Sequence, residues 1–319
     1  MYDVIVIGLG SMGSAALYHF AKAGVRVLGI EQFGIVHDKG SHSGQSRIVR
    51  KAYFEHSDYV PLLSAAYQGW EDIQGECGEK LFYKTGLAYF GPSDHPVMNG
   101  VKDSSFKYKI PLSANDYSLF NQFQFNEEVE YLFEPEAGFA LTDQTIRSYI
   151  KLAQEHNAQV KSSEQVIGIS QKPDHISIKT TVDDYKTEKL VITAGAYINQ
   201  LIDFINLELN VSRQLIAWVK PKSRKLFDLN SFPSWMIADD EYEGVFYGFP
   251  ILSKQKFGGN ELLKVAHHAL GDVIEPSELQ HFDPDIEKAK IESILKKYIP
   301  DATGRSEEHT SELQSPCNL

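Results

Sequence analysis

The chain has 319 residues, a formal net charge of -12 and 42% hydrophobic residues, values typical of a globular protein with about two domains. The negative charge, which no local basic cluster offsets, argues against nucleic acid as a partner. The two cysteines exclude a disulfide framework and a zinc site of ordinary spacing, so no metal is expected.

The sequence also argues against a membrane location. It contains no apolar run of roughly 18 residues, the length that a membrane span requires. The first strand begins at Asp3, which leaves no room for a signal peptide. A cytoplasmic protein without a membrane partner is therefore expected.

The first stretch of the chain has the pattern of a phosphate-binding turn. Val4–Ile7 is an apolar, β-branched run of the kind that a parallel sheet buries on both faces. It leads into Gly8, Gly10 and Gly13 at G-x-G-x-x-G spacing, and a helix is predicted over Ser14–Ala23. The helix N-terminus then faces the phosphates of a dinucleotide.

A second apolar strand, predicted over Val25–Ile30, ends in Glu31. A carboxylate about 20 residues beyond the glycines can accept hydrogen bonds from a ribose hydroxyl. Glu31 therefore disfavours a 2′-phosphate and hence NADP, while NAD and FAD both remain possible. The alternative is an ordinary βαβ unit with a glycine turn.

Two arginines follow this unit closely. Arg47 and Arg50 lie three residues apart, which predicts that they share one side of a helical turn. A guanidinium group can hold a carboxylate or phosphate at two points. The alternative is a solvent-exposed basic turn without a ligand.

The remaining pattern predicts two interleaved domains. A helix over Tyr59–Cys77 is followed by an aromatic, strand-favouring stretch that begins near Phe82. Further helices are predicted over Thr142–His156, capped by Thr142 or Asp143, and over Ile286–Tyr298. Further strands are predicted over Val166–Ile169, Ile176–Thr180, Leu190–Thr193, Arg213–Val219, Gly244–Phe249 and Leu262–His267. The nucleotide-binding domain is predicted to comprise residues 1–80 and 141–210, and the second domain residues 81–140 and 211–304.

With these residues in view, the chain resembles the family of monomeric sarcosine oxidases and N-methyltryptophan oxidases. Short motifs in the right order carry the resemblance from Tyr2 to about Gly304. Besides the glycine fingerprint they are Gly40–His42, Ser46–Arg50, Ala52–Tyr53, Tyr59–Leu62, Lys84–Gly86, Phe133–Pro135, Thr193–Ala196, Tyr247–Pro250 and Lys264 with His268.

The resemblance, and not the glycine spacing, selects FAD over NAD. It implies an α/β protein in which a Rossmann-like FAD-binding domain is interleaved with a substrate domain built on a mixed or antiparallel sheet. It further implies oxidation of a secondary amino acid by dioxygen, with a small amino acid as the partner and a monomeric enzyme. For sarcosine the products would be glycine, formaldehyde and hydrogen peroxide.

The resemblance also assigns roles to residues. Arg50 matches the arginine that clamps the substrate carboxylate, and Arg47 matches one beside the flavin ring. Lys264 matches a lysine that helps dioxygen accept electrons, because a cation stabilises the developing negative charge. Tyr247 and His268 match residues that line the substrate pocket. The residues expected to contact FAD are Gly8, Gly10, Ser11, Met12, Gly13, Glu31, Ser41, His42, Ser46, Arg47, Val166 and Gly195.

For the isolated residues, ordinary structural roles are the alternatives. Without the resemblance, Lys264 would be a strand lysine whose chain covers apolar surface, Tyr247 a core tyrosine and His268 a hydrogen-bonded histidine. Two departures from the family pattern lie near the expected flavin site. Ser43 and Gln45 stand where known members have a histidine and an aspartate.

The C-terminal residues depart furthest from the family. Family members continue beyond the position of Gly304 with a strand that carries the cysteine bonded covalently to the flavin. Here residues 305–315 instead match one reading frame of a common sequencing adapter. We therefore expect residues 305–319 to be an artefactual tail, the covalent attachment site to be absent, and this chain to be an inactive truncation that binds FAD weakly or not at all.

Two other functional classes remain open at this stage. An NAD-dependent dehydrogenase could share the first turn. A non-catalytic fragment that only binds a nucleotide is the other possibility. A flavin absorbance spectrum would separate the first from an oxidase.

Overall fold

The computed structural model describes residues 1–114, 120–125, 129–202, 209–276, 285–303 and 306–314, the last of these as backbone alone. The α-helices are α1 (Ser11–Lys22), α2 (Val60–Cys77), α3 (Pro96–Tyr108), α4 (Thr142–Glu155), α5 (Lys254–Phe257) and α6 (Asp285–Tyr298). The strands are β1 (Tyr2–Ile7), β2 (Val27–Ile30), β3 (Ser46–Val49), β4 (Phe82–Tyr83), β5 (Leu87–Pro92), β6 (Ser113–Ala114), β7 (Val129–Glu134), β8 (Gly138–Leu141), β9 (Gln159–Lys161), β10 (Val166–Gln171), β11 (Ile176–Thr180), β12 (Asp184–Ile192), β13 (Ser212–Val219), β14 (Ser234–Ile237), β15 (Val245–Gly248), β16 (Leu263–His268) and β17 (Ser306–Gln314).

The first sheet has six strands in the order β10-β11-β12-β1-β2-β9. β1 pairs in parallel with β12 and β2, and β2 pairs in parallel with β9. β10, β11 and β12 form an antiparallel meander at the other edge. Val4–Ile7 is buried on both faces, since α1 and α4 cover one side of β1 and a second apolar cluster covers the other.

The second sheet has eight strands in the order β17-β13-β16-β15-β14-β5-β7-β6. Its neighbours are antiparallel except for β14 and β5, which run in parallel. One face of this sheet packs on α6 through large aromatic side chains, among them Phe90, Trp235 and Phe246. The opposite face carries Tyr89 and Met236, which lie in register across β5 and β14.

The fold class expected from the sequence is confirmed. Strands of the first sheet come from residues 2–30 and 159–192, and strands of the second come from between and after them, so the two units are interleaved. A small antiparallel sheet, β3-β8-β4, connects them. The residue boundaries given for the two domains stay a prediction.

Two local expectations were wrong. Arg47 lies in β3, which pairs with β8, and Arg50 follows that strand, so the two arginines do not share a helical turn. Ile48 and Val49 are β-branched and favour the extended backbone. The residue at the N-cap of α4 is Leu141, whose apolar side chain makes no capping hydrogen bond.

The expected tail overlaps the last described strand. The backbone of β17 pairs antiparallel with β13 along Ser212–Val219 at one edge of the eight-stranded sheet. The expectation that residues 305–319 are foreign to the protein stays a prediction.

Candidate functional site

The turn after β1 has room for backbone only. Gly8 has a φ of 88°, a conformation that favours glycine. A β-carbon at Gly13 would overlap the carbonyl oxygen of Gly8 and lie 2.6 Å from Oγ1 of Thr193. α1 begins directly after Gly10, and no side chain of the described residues caps its N-terminus. The turn therefore leaves the first N–H groups of α1 open to an anion.

Glu31 lies where β2 ends, beside this turn. One oxygen of its buried carboxylate accepts a hydrogen bond from the N–H of Leu9 at 2.8 Å, and the other from the N–H of Phe33 at 3.0 Å. His37 Nε2 lies 3.5 Å from Oε1 of Glu31. The carboxylate is thus held in one orientation and retains lone pairs for a ribose hydroxyl.

A cluster of rings surrounds Glu31 on one side. The ring of His37 lies 4.9 Å from those of both Phe33 and His42, measured between centroids. Nε2 of His42 is buried and has no hydrogen-bond partner among the described residues. Burial, followed by the nearby His37 and Arg47, lowers the pKa of His42 to about 4. His42 is therefore neutral at pH 7 and offers a buried polar atom to a ligand.

The low pKa of His42 predicts acid sensitivity. Because an unfolded histidine has a pKa near 6.5, the unfolded chain binds more protons than the folded one between about pH 6.5 and 4. Stability should therefore fall as the pH falls through this window, by about 3 kcal/mol in all. Denaturant unfolding without added FAD at pH 7.5 and 4.5 measures the loss.

The His42→Gln variant lacks the titrating imidazole, so its loss of folding stability on acidification should be smaller than that of the wild type by the contribution of His42, about 3 kcal/mol. His19→Gln is the control, because the side chain of His19 is exposed on α1. Equal pH dependence in the wild type and His42→Gln would contradict the assignment.

One face of the eight-stranded sheet gathers three of the predicted residues. Tyr247 of β15 lies opposite Ala266 of β16. Lys264 and His268 lie two residues to either side of Ala266, so the alternation of the strand points them to the same face. This face thus carries a cation, a phenol and an imidazole in one row.

A single carbonyl joins the two cations of the site. Nζ of Lys264, whose side chain is buried, donates to the carbonyl oxygen of Ser46 at 2.7 Å. Nη1 of Arg47 donates to the same oxygen at 2.9 Å, and its Nη2 donates to the carbonyl of Ser41. Two cations held so close attract negative charge that develops between them.

Arg50 is buried, and its hydrogen bonds are made within the chain. Nη2 lies 2.7 Å from each carboxylate oxygen of Glu55, and Nη1 donates to the carbonyl of Ala52 at 3.0 Å. The guanidinium carbon lies 4.1 Å and 4.4 Å from the ring centroids of Tyr53 and Phe54. Burial would lower the pKa of Arg50, but the nearby Glu55 carboxylate has the larger influence, so the pKa of Arg50 is raised.

The pKa of His268 is influenced by the charges of Arg50 and Glu55. Its side chain is accessible to solvent, yet partial desolvation lowers its pKa, with Glu55 opposing and Arg50 adding to the shift. His268 is therefore an uncharged donor or acceptor at neutral pH.

The predicted residues fall into two groups that the segment 41–50 connects. The first surrounds the carboxyl ends of β1, β2 and β12 and contains Gly8, Gly10, Ser11, Met12, Gly13, Glu31, Ser41, His42, Val166 and Gly195. The second lies between β3 and the eight-stranded sheet and contains Ser46, Arg47, Arg50, Tyr247, Lys264 and His268. Sequence reasoning missed His37 and Glu55. Only their closeness to Glu31 and Arg50 along the chain could have indicated them.

Three further findings concern a cavity, metal binding and membrane spanning. A cavity of about 220 Å³ lies beside Gln45, Asp143, Gln144 and Trp218. Within the described ranges, no group of three or more acidic, histidine or cysteine side chains could hold a metal ion. No helix in the same ranges is long and apolar enough to cross a membrane.

Comparison with known sequences gives consistent matches. The profile of a family described as FAD dependent oxidoreductase matches residues 3–312. Monomeric sarcosine oxidase from Bacillus sp. (strain B-0618) is 31% identical over 313 residues, covering 95% of this chain and 78% of that protein. N-methyl-L-tryptophan oxidase from Yersinia pestis (strain Pestoides F) is 30% identical, covering 94% and 79%.

Comparison with solved structures supports the fold alone. NikD, an unusual amino acid oxidase essential for nikkomycin biosynthesis, matches in its open form with a TM-score of 0.84 at 21% identity, covering 98% of this chain and 81% of that one. Glycine oxidase from Geobacillus kaustophilus matches with a TM-score of 0.76 at 15% identity, covering 99% and 83%.

Proposed function

The chain belongs to the family of FAD-dependent oxidoreductases, and on that premise we propose that the full-length gene product oxidises a secondary amino acid of the N-methyl type, such as sarcosine. That residues 1–319 alone are inactive stays a prediction. Bound FAD would supply the redox chemistry by which a hydride and a proton are removed from the N-methyl amine and dioxygen is reduced to hydrogen peroxide. The resulting imine hydrolyses to formaldehyde and the primary amino acid. The sequence identity to relatives that act on sarcosine and on N-methyltryptophan supports this class of substrate.

The residues present fit FAD. The Gly8–Gly13 turn would hold the pyrophosphate on the first N–H groups of α1, and the missing β-carbon at Gly13 lets α1 pack closely enough on Gly8 to present them. Glu31 would bind the ribose of the adenosine half. Nε2 of His42, which has no hydrogen-bond partner in the described part of the chain, would supply a further polar contact between this turn and Arg47.

The observation that carries the proposal is the row of Lys264, Tyr247 and His268 on one sheet face, with the charge of Arg50 near enough to lower the pKa of His268. Arg50 would bind the substrate carboxylate at two points, and His268 and Tyr247 would orient the amine. Lys264 and Arg47 would stabilise the charge that develops on dioxygen. In this arrangement the carboxylate of the substrate replaces that of Glu55 on Nη2 of Arg50.

Replacing Arg50 tests the carboxylate clamp. In Arg50→Lys the charge stays but the planar fork is lost, so we expect the KM for sarcosine to rise roughly tenfold to hundredfold, about 1.5–3 kcal/mol. The kcat at saturating sarcosine should change much less. Arg224→Lys is the matched control, since Arg224 pairs with Asp228 and Glu261 at the surface. An unchanged KM in Arg50→Lys would refute the clamp.

A substrate panel tests the proposed activity. The protein, supplied with excess FAD, is mixed with sarcosine, N-methyltryptophan or pipecolate, and peroxide and formaldehyde are measured. Release of peroxide with at least one of them supports the proposal, and a flavin-loaded protein inert to all three would overturn it. For residues 1–319, stoichiometric flavin with peroxide release would overturn the expectation of an inactive truncation.

We also propose that the chain is monomeric and cytoplasmic and binds FAD without a covalent bond. Cys77 ends α2, where its Sγ lies beside the carbonyls of Gln74 and Glu79 and not among the site residues. The second cysteine, Cys317, belongs to the expected artefactual tail and lies outside the described residues. Release of all flavin on acid precipitation, and the hydrodynamic size of a single chain, are the expected results.

A further inference from the structure

We propose that Glu134 is a positioning residue for Arg50, and that its buried carboxylate fixes the peptide on which the guanidinium depends. This inference rests on the proposed function, because it concerns the arginine that would bind the substrate carboxylate. Glu134 ends β7 in the second sheet, 84 residues along the chain from Arg50.

The carboxylate of Glu134 is fully buried and accepts three hydrogen bonds. Oε1 accepts from the N–H of Lys51 at 2.7 Å. Oε2 accepts from the N–H of Ala52 at 3.2 Å and from the hydroxyl of Tyr89 at 2.8 Å. Two consecutive backbone N–H groups are thereby held by one side chain, which fixes the direction of the chain as it leaves β3.

Ala52 links the carboxylate of Glu134 to Arg50. The carbonyl of Ala52 accepts a hydrogen bond from Nη1 of Arg50, while its N–H is held by Glu134. The position of Nη1 is therefore set by a peptide that Glu134 holds in place. Nη2 is the arm that faces Glu55, and in the proposed function the substrate carboxylate.

The charges of Arg50, Glu55 and Glu134 also support a positioning role for Glu134. Arg50 is 6% exposed, and a buried cation is costly unless an anion lies nearby. Glu55 is about one-third exposed at its side chain and can be exchanged for a substrate, whereas Glu134 is enclosed and stays. Burial and the charge of Glu134 raise the pKa of Tyr89, and the charge of Arg50 opposes that shift, so these three groups are electrostatic neighbours.

The test replaces Glu134 with its isosteric amide. Whichever way the amide of Glu134→Gln is turned, one of the two backbone N–H groups faces an –NH2 group and loses its acceptor. Two measurements are made on protein with saturating FAD. One is the Kd of propanoate and of propanamide by calorimetry, and the other is hydrogen exchange at the amides of Lys51 and Ala52.

We expect the Kd of propanoate to rise at least tenfold in Glu134→Gln, while that of propanamide changes little. Exchange at one or both amides should accelerate at least tenfold. Tyr89→Phe, which removes one of three donors and keeps the ring, should give a smaller change in the same direction.

Asp239→Asn is the matched control. Asp239 is also buried, and its carboxylate accepts from the Tyr298 hydroxyl at 2.6 Å, Nζ of Lys297 at 2.8 Å and the N–H of Glu241 at 2.9 Å. Its replacement should lower stability and leave the preference for propanoate unchanged.

The outcomes distinguish the carboxylate clamp of Arg50 from the positioning role of Glu134. A wild type that binds propanoate no better than propanamide would overturn the clamp and the positioning role together. A wild type that prefers propanoate, with a Glu134→Gln variant that keeps the preference, would overturn the positioning role alone. An equal loss of preference in Asp239→Asn would also overturn it, because the effect would then follow from lowered stability.

Discussion

Gly13→Ala should weaken the binding of FAD at least tenfold. The added β-carbon would overlap the carbonyl oxygen of Gly8 and meet Oγ1 of Thr193. Neither neighbour can yield cheaply, since Gly8 follows the buried β1 and the Thr193 hydroxyl shares its one proton between the carbonyls of Ile7 and Gly8. Overpacking of this kind costs about 1–3 kcal/mol even where side chains can move, and here the obstacle includes backbone.

Titration with FAD, followed by quenching of flavin fluorescence, measures the effect. Affinity should fall at least tenfold to hundredfold, the equivalent of those free energies. Gly69→Ala is the matched control, because a β-carbon at Gly69 in the middle of α2 would meet nothing within 4 Å. This control should bind FAD as the wild type does and be more stable by about 0.5–1 kcal/mol. A Gly13→Ala variant with wild-type affinity would refute the turn as the pyrophosphate site.

Local patterns predicted the parts of the fold that local forces determine. Val4–Ile7 had to be a buried strand, and the glycines after it had to be a turn, because both properties belong to adjacent residues. The helix predicted over Tyr59–Cys77 is present as α2 for the same reason. In each case the preference of the segment agrees with its packing.

The prediction was wrong where pairing with a distant strand decides the conformation. Three-residue spacing placed Arg47 and Arg50 on one helical side, but the pairing of Arg47 with Ala140 in β8 makes the segment extended. No property of residues 46–50 alone reveals that partner. The strand also separates the two arginines, so that Arg47 lies with Ser46 and Arg50 with Glu55.

The contacts that orient the site were the hardest to foresee. Sequence reasoning, with a family resemblance, named Arg50 and Lys264, since their charges are visible in the sequence. The carbonyl of Ser46 that joins Arg47 to Lys264, and the carboxylate of Glu134 behind Arg50, are ordinary groups. Their roles follow only from the approach of strands that are distant in the chain.

The largest effect on turnover is expected for Lys264→Met. The side chain of Lys264 is buried, with Nζ on the carbonyl of Ser46 and 4.7 Å from the ring centroid of Phe249. Methionine has a similar volume and no charge, so the fold should persist or gain stability. The substitution removes one of the two cations that would stabilise the charge on dioxygen, and Arg47 remains as the other.

We therefore expect peroxide formation to slow by about 10²–10³-fold, the usual effect of removing one preorganised stabilising group. Oxidation of sarcosine with an artificial electron acceptor in place of dioxygen should change only a few-fold, because Arg50 and His268 are untouched. Lys256→Met makes the same chemical change at an exposed position and should alter neither rate. If Lys264→Met slowed both half-reactions equally, the lysine would serve the binding or oxidation of the amino acid, and the assignment of dioxygen to this end of the sheet face would be wrong.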